Sequence, residues 1–376
     1  MAEADAASTS QLAQVQATAT LLGIRSRTQL KDNFFHNCER LEAIGCFCIG
    51  TNQVDLGAAR SKGVAVFNAP HSNTRSVAEL VLGEMIMLLR RIPVTNRAMH
   101  SGQWHKNAEQ RHEIRGKTLG IVGYGNIGSQ LSVLAESLGM RVIFFDPVTK
   151  LALGNAQAVK TLRQLLVQSD VISLHVPETQ STRMMIGEER LHQCKQGAVL
   201  INAARGTVVD IEALCRALDS GHIGGAALDV FPQEPAGKAG KFSSPLSGRK
   251  NVILTSHIGG STVEAQAAIG EEVAHKLIDY YLWGSSSGSV NLPQIALQQP
   301  ATSVRLLHLH HNVPGVMSAL NQIIADHNIN ISGSHLNTLG EVGYASVDIE
   351  SRAGLQKLCQ ELLSLPETIR VRAVNR

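Results

Sequence analysis

Short apolar runs closed by turn residues make up the first readable part of the chain. Leu21–Ile24 runs into the basic loop Arg25-Ser26-Arg27; residues 41–49 and 64–68 repeat the form and end on Gly50-Thr51-Asn52 and Ala69-Pro70. Runs of this length ending on turn signals predict strands of parallel type. Over residues 76–89 the apolar positions recur three and four apart, which predicts a helix, with a domain boundary near Asn73.

From Lys117 the pattern alternates regularly. Strands are predicted over 119–122, 141–146, 171–176, 198–203, 226–230 and 252–255, with helices over 129–138, 162–168 and 211–219. Their continuous apolar runs suit a parallel sheet covered on both faces, and the order suits a doubly wound α/β fold. A long helix over 262–282 leads into Gly284-Ser285-Ser286-Ser287-Gly288, a loop or linker. Beyond Pro300 the order becomes strand 304–309, helix 315–327, strands 329–336 and 344–349, helix 354–363, strand 369–374. That βαββαβ order is a ferredoxin-like module, whose open sheet edge suits pairing with a second copy.

Composition narrows the function. Of 376 residues 44% are hydrophobic and 17% charged, which is a globular balance; 34 basic against 31 acidic residues argue against a broad basic surface for nucleic acid. No stretch approaches the ~18 uncharged apolar residues of a membrane span, since Glu79 and Glu84 interrupt the most apolar one. The first 20 residues lack the basic and apolar segments of an export or transit signal, so a cytoplasmic location is expected. The six cysteines include no CxxC pair, and neither a disulfide nor a metal site is expected.

Chemistry concentrates where strands end. Gly123, Gly125 and Gly128 form GxGxxG between a strand and a helix, and Asp146 closes the next strand. The first glycine allows a tight turn, the second lets backbone approach a pyrophosphate, and the third lets the helix pack on the strand. The helix N-terminus favours phosphate, and Asp146 would accept from ribose hydroxyls while repelling a 2′-phosphate, which favours NAD over NADP. Arg205, Glu234 and His257 follow three later strands. Singly, each has an ordinary structural reading: a helix cap, a solvated loop acid, a buried histidine. Together they suit hydride transfer at a C–O carbon, with His257 exchanging the proton, Glu234 orienting the imidazole and Arg205 holding a substrate carboxylate in two-point fashion.

These residues carry a family resemblance. Asn202-Ala203-Ala204-Arg205-Gly206-Thr207-Val208-Val209-Asp210, Asp229-Val230-Phe231-Pro232-Gln233-Glu234-Pro235 and His257-Ile258-Gly259-Gly260-Ser261-Thr262 resemble the three signatures of D-isomer-specific 2-hydroxyacid dehydrogenases. Gly45-Cys46-Phe47-Cys48-Ile49-Gly50-Thr51-Asn52-Gln53-Val54-Asp55, Phe67-Asn68-Ala69-Pro70 and Asn73-Thr74-Arg75-Ser76-Val77-Ala78-Glu79-Leu80 are similar to the branch that oxidises D-3-phosphoglycerate and carries a regulatory ACT module.

The resemblance implies a Rossmann-type NAD domain (residues 73–260) inserted in a flavodoxin-like substrate domain (1–72 and 261–300), followed by a ferredoxin-like ACT domain (301–376). It implies oxidation of D-3-phosphoglycerate to 3-phosphohydroxypyruvate, the first step of L-serine biosynthesis, with Arg205, Glu234 and His257 catalytic. Cofactor contacts would come from Gly123, Gly125, Asn126, Ile127, Gly128, Asp146, Ala203, Ala204, Arg205, Asp229, His257, Ile258, Gly259 and Gly260. Substrate contacts would come from Arg25, Ser26, Arg27, Asn73, Lys106 and Arg205. His310, Asn312 and Asn330 match the positions that bind serine as feedback inhibitor, and a homotetramer is expected.

Two departures stand out. Relatives carry a further strand and helix ahead of the segment matching residues 21–28, for which residues 1–20 show no strand pattern, although residues 11–22 suit the preceding helix. The join at 298–303 holds Pro300 in place of a glycine pair. An amino-acid sensor that has lost catalysis, and a dehydrogenase for another D-2-hydroxy acid, stay open as alternatives, as does 2-oxoglutarate as a second substrate.

Overall fold

The computed structural model describes residues 16–235, 240–299, 304–352 and 354–375. The chain divides into two compact units, Asn73–Gln266 and Met1–Ser72 with Ala267–Arg376.

The Asn73–Gln266 unit is built on seven parallel strands: β4 (Thr118–Val122), β5 (Arg141–Phe145), β6 (Gln157–Ala158), β7 (Val171–Leu174), β8 (Ala198–Asn202), β9 (Ile223–Leu228) and β10 (Val252–Leu254). Their spatial order is β10-β9-β8-β7-β4-β5-β6. The chain steps outward from β4 to β6, then returns to the other side of β4, so a topological switch point lies between β4 and β7, where doubly wound folds bind ligands. Apolar residues of β4 serve both faces. Leu119 and Ile121 pack with α3 (Thr74–Leu89) and α5 (Asn126–Ser137); Val122 packs with α6 (Leu162–Gln168), α7 (Glu188–Gln193) and α8 (Ile211–Asp219). The predicted strands and the helices over 162–168 and 211–219 are found. Between α3 and β4 lies α4 (Ile92–His100), which the spacing did not predict; Arg91, at a φ of 54°, separates it from α3. The short α7 and β6 were likewise unpredicted, having too few residues to show a period. The glycine turn is shorter than expected, since α5 starts at Asn126 directly after Gly125.

The other unit holds a three-stranded parallel sheet, β1 (Leu21–Ile24), β2 (Ala43–Cys46) and β3 (Ala65–Phe67), with α1 (Asp32–Phe35) and α2 (Leu56–Ser61) between the strands. Residues 16–18 are helical and Gln16 Nε2 donates to the Phe34 carbonyl at 2.8 Å; the earlier part of the helix expected over 11–22 lies outside the described residues. The long helix α9 (Val263–Trp283) sets Val273 and Leu277 against β2 at Gly45, where an added Cβ would meet Val273 at 2.6 Å.

The C-terminal module runs β11 (Val304–His311), α10 (Val316–Asp326), β12 (Ile331–Leu339), β13 (Val342–Ile349), α11 (Leu355–Leu363) and β14 (Thr368–Asn375), in sheet order β12-β13-β11-β14 with antiparallel neighbours. Alternation along β11 gives the sheet two apolar faces. Val304 and Leu306 pack under α10 and α11, whereas Leu307 and Leu309 join Tyr344, α9 and Phe67 in one cluster. Of the join at 298–303, residues 300–303 lie outside the described residues.

Arg305, 5% exposed, anchors this module. It makes a two-point ion pair with Asp348 at 2.6 and 2.8 Å and also donates to the carbonyls of Trp283 and Gln298. Removing one partner of a buried pair strands the other charge, at a cost of about 3–5 kcal/mol. Arg305→Ala is therefore expected to lower stability by about that much in urea unfolding; a loss within the scatter of surface substitutions would contradict this role.

Candidate active site

The glycine turn has the shape that its sequence implies. Gly123 has a φ of 93°, and an added Cβ would lie 2.4 Å from the His175 carbonyl, so only glycine fits. Above Gly125 nothing stands within 4 Å, which leaves its backbone open to a ligand at the start of α5. Asp146 accepts from Tyr124 N and Val148 N, both at 2.9 Å, and this pins the carboxylate at the end of β5. A dinucleotide fits this set: open backbone for its pyrophosphate, a helix N-terminus, and a fixed acid for a ribose.

At the ends of β8, β9 and β10 three loops lean on one another. Asn202, fully buried, accepts from Ala204 N at 3.1 Å and donates to the Arg205 carbonyl at 3.0 Å, shaping the turn that carries Ala203 and exposed Arg205. Gly206 then packs so tightly on the next loop that an added Cβ would lie 2.0 Å from Phe231 C. Asp229, 2% exposed, accepts from Thr255 Oγ1 at 2.6 Å, Ile258 N at 2.8 Å and Gly259 N at 2.8 Å. Those bonds bracket His257, which is held at a φ of 57°. Left-handed backbone is costly for a non-glycine residue and tends to occur at functional sites.

The outcome is a short contact between the two predicted titratable groups. Glu234 Oε2 lies 2.8 Å from His257 Nδ1, and Glu234 Oε1 accepts from Phe231 N at 3.1 Å. A carboxylate on Nδ1 leaves Nε2 as the working nitrogen. The His257 side chain is 53% exposed, so it can reach a ligand. Asn73, at the start of α3, packs on Gly260, where an added Cβ would meet its Nδ2 at 2.4 Å.

Other predicted site residues lie on other segments of the chain. Lys106 lies in the exposed segment 101–110. Arg25, Ser26 and Arg27 are exposed in the loop after β1, with the Arg25 charge acting on the Cys48 thiol. In the C-terminal module His310, 2% exposed, donates from Nδ1 to the His311 carbonyl at 2.9 Å, and its buried Nε2 has no hydrogen-bond partner among the described residues. Asn312 Nδ2 donates to the Gly340 carbonyl at 3.2 Å, and Asn330, exposed, precedes β12.

Two groups escaped sequence reasoning. Glu84, which appeared only as an interruption of an apolar helix, is buried against the sheet; burial, and then the charge of Asp229, push its carboxyl up to about 8, so it is neutral near pH 7. His308, beside His310 with ring centroids 5.0 Å apart, bonds Thr368 Oγ1 at 2.8 Å. An acid at a core position of α3 was the one signal available for Glu84; nothing marked His308.

Residues 82–259 match the family described as D-isomer specific 2-hydroxyacid dehydrogenase, NAD binding domain, and residues 306–370 match the AHAS small subunit-like ACT domain. The chain is 54% identical over 353 residues to D-3-phosphoglycerate dehydrogenase of Haemophilus influenzae, covering 94% of this chain and 86% of the relative. It is 53% identical over 363 residues to the protein of that name from Escherichia coli K12, covering 96% and 88%. Among solved structures, D-lactate dehydrogenase from Aquifex aeolicus, complexed with NAD and lactic acid, aligns with a TM-score of 0.64 at 30% identity over 75% of this chain and 89% of that one. The chain belongs to the D-isomer specific 2-hydroxyacid dehydrogenases, NAD-binding oxidoreductases. Within that family its place is among the D-3-phosphoglycerate dehydrogenases, and it carries an ACT domain. No helix of the described residues is long and apolar enough to cross a membrane.

Burial holds His175 and His308 down to about 4, with His310 adding to the effect on His308. Unfolded, each would titrate near 6.5. The stability gained by keeping them neutral is present above pH 6.5 and is lost as pH falls from there toward 4, on the order of 3 kcal/mol apiece. Unfolding at stepped pH should show this loss, and His308→Gln should reduce it; an unchanged slope in that variant would contradict the assignment.

Proposed function

We propose that the protein oxidises D-3-phosphoglycerate to 3-phosphohydroxypyruvate with NAD, the first step of L-serine synthesis, and that L-serine inhibits it through the ACT module. The Glu234–His257 contact at 2.8 Å carries the catalytic reading, because it turns a histidine on a loop into an oriented acid–base group. The cofactor, held by the glycine turn and Asp146, supplies the acceptor for the hydride that leaves the substrate carbon. His257 takes the hydroxyl proton of the same carbon at Nε2, and the Glu234 carboxylate stabilises the resulting imidazolium. Arg205 grips the carboxylate of the substrate, whose phosphate is assigned to Arg25 and Arg27 with Ser26 and Lys106. Asn73 is assigned to the substrate and Ala203, Ala204, Asp229 and residues 257–260 to the nicotinamide end. The identity to relatives named D-3-phosphoglycerate dehydrogenase supports the choice of substrate.

In the ACT module, His310 with its bare Nε2, Asn312 and Asn330 are assigned to serine. An inhibitor acts by preferring one conformation, and pairing of modules across two chains in a tetramer would give it one to select.

Reduction of phosphohydroxypyruvate with NADH tests the reading. His257→Ala should lose about 10²–10⁴-fold in kcat, the usual worth of a general acid–base group, and Glu234→Gln should lose less and shift the pH profile. Gly206→Ala, which forces the Arg205 and Glu234 loops apart, should lower kcat while NADH binding persists. Equal turnover by wild type and His257→Ala would refute the catalytic assignment. Calorimetric binding of serine that survives Asn312→Ala with Asn330→Ala would refute the effector site.

A further inference from the structure

The unit that contains the N-terminal sheet and the C-terminal module holds a cavity of about 780 Å3, lined by β14 and by the segment that joins α1 to β2. Small-molecule sites span roughly 300–1,000 Å3. The charged wall groups are Arg40, Lys62, Arg370 and Arg372 against Glu39 and Glu42. Arg372 pairs with Glu42 and lies 4.7 Å over the ring of Tyr280, so it is neutralised in place.

Arg370 bonds no carboxylate among the described residues, although the charge of Glu42, already paired with Arg372, acts on it too. Its guanidinium donates to the main-chain carbonyls of Leu41, at 2.5 Å, and Glu39, at 3.4 Å. Its stem lies against Gly63, whose φ is 66° and whose missing Cβ would sit 3.1 Å from Arg370 Cβ, so the backbone is shaped around it. Burial lowers its pKa, meaning that the charge is poorly solvated where it stands. A partly buried cation whose hydrogen bonds go to carbonyls, and whose nearby carboxylate is engaged by Arg372, leaves room for an anion to complete it. Arg40 and Lys62, both exposed, make no side-chain bond among the described residues and stand on the same wall.

We propose that this cavity binds a small polyanion, a phosphate ester or a polycarboxylate, on Arg370, Arg40 and Lys62. The anion would close a bridge between the N-terminal sheet and β14, and its binding would be independent of the substrate loop and of the ACT serine site. Guanidinium and ammonium groups suit such a ligand because charge-assisted hydrogen bonds to oxyanions are about twice as strong as neutral ones.

Calorimetry on the full-length protein at low ionic strength, with inorganic phosphate and with citrate as probes, tests this. Wild type and the double variant Arg25→Ala with Arg27→Ala should bind the preferred probe alike; Arg40→Glu with Lys62→Glu should weaken it by at least about tenfold, and Arg40→Gln with Lys62→Gln by less. The probe bound more tightly tells ester from polycarboxylate. Dehydrogenase activity at saturating substrate should be unchanged in both Arg40/Lys62 variants, which shows that they fold. Undiminished binding in the Glu variant, binding lost in the Arg25/Arg27 variant, or no binding of either probe by wild type would overturn the proposal.

Discussion

One buried carboxylate organises the loops that follow β8, β9 and β10. Asp229 takes three hydrogen bonds from the loop after β10, two of them from the backbone on either side of the bond between Ile258 and Gly259. A left-handed residue costs about 1–3 kcal/mol, and His257 is such a residue; charge-assisted bonds to an ionised acceptor offset that cost. That anchor fixes the backbone from which the imidazole meets Glu234 at 2.8 Å. The Glu234 loop is braced in turn by Gly206, and the Gly206 loop by Asn202. Three short connections thus form one rigid piece, as a site needs if its groups are to be preorganised.

The same carboxylate helps to explain Glu84. Two ionised acids close together in an apolar surrounding are not sustainable, and Asp229 carries the hydrogen bonds that stabilise charge. Glu84 has no such bonds among the described residues, so it is the one that stays protonated. The effect is a single negative charge beneath the loop of His257.

The C-terminal module obeys a different constraint. Its sheet is covered on both faces, by its own helices and by α9, so no face of β11 is left as a free apolar surface. Polar groups that enter such a sheet must be tied down, and Arg305 and Tyr344 are: the first by Asp348 and two carbonyls, the second by the Gly284 carbonyl at 2.8 Å. Three buried atoms among the described residues of this sheet are exceptions, His308 Nδ1, His310 Nε2 and Ser346 Oγ; His310 bonds through its other ring nitrogen. A buried acceptor left open is what a ligand with donor groups can satisfy.

Local order was legible wherever the chain repeats a period long enough to detect. The strands of the parallel sheet, α6, α8 and the βαββαβ order of the module all follow from apolar spacing, and the glycine turn follows from three residues and an acid. The helix α4 escaped because it is short and buries none of its residues, and α7 and β6 because they are shorter still. By itself the sequence determined the chemistry available: a dinucleotide turn, an arginine, a glutamate and a histidine after successive strands. Only the tertiary structure decided that Glu234 meets His257 across 23 residues, that Asp229 supports both Ile258 and Gly259, and that Arg370 lies on backbone carbonyls more than 300 residues away. Periodicity reports which side of an element is buried; it carries no information about which buried polar group faces which, and that pairing is set by how the loops close on one another.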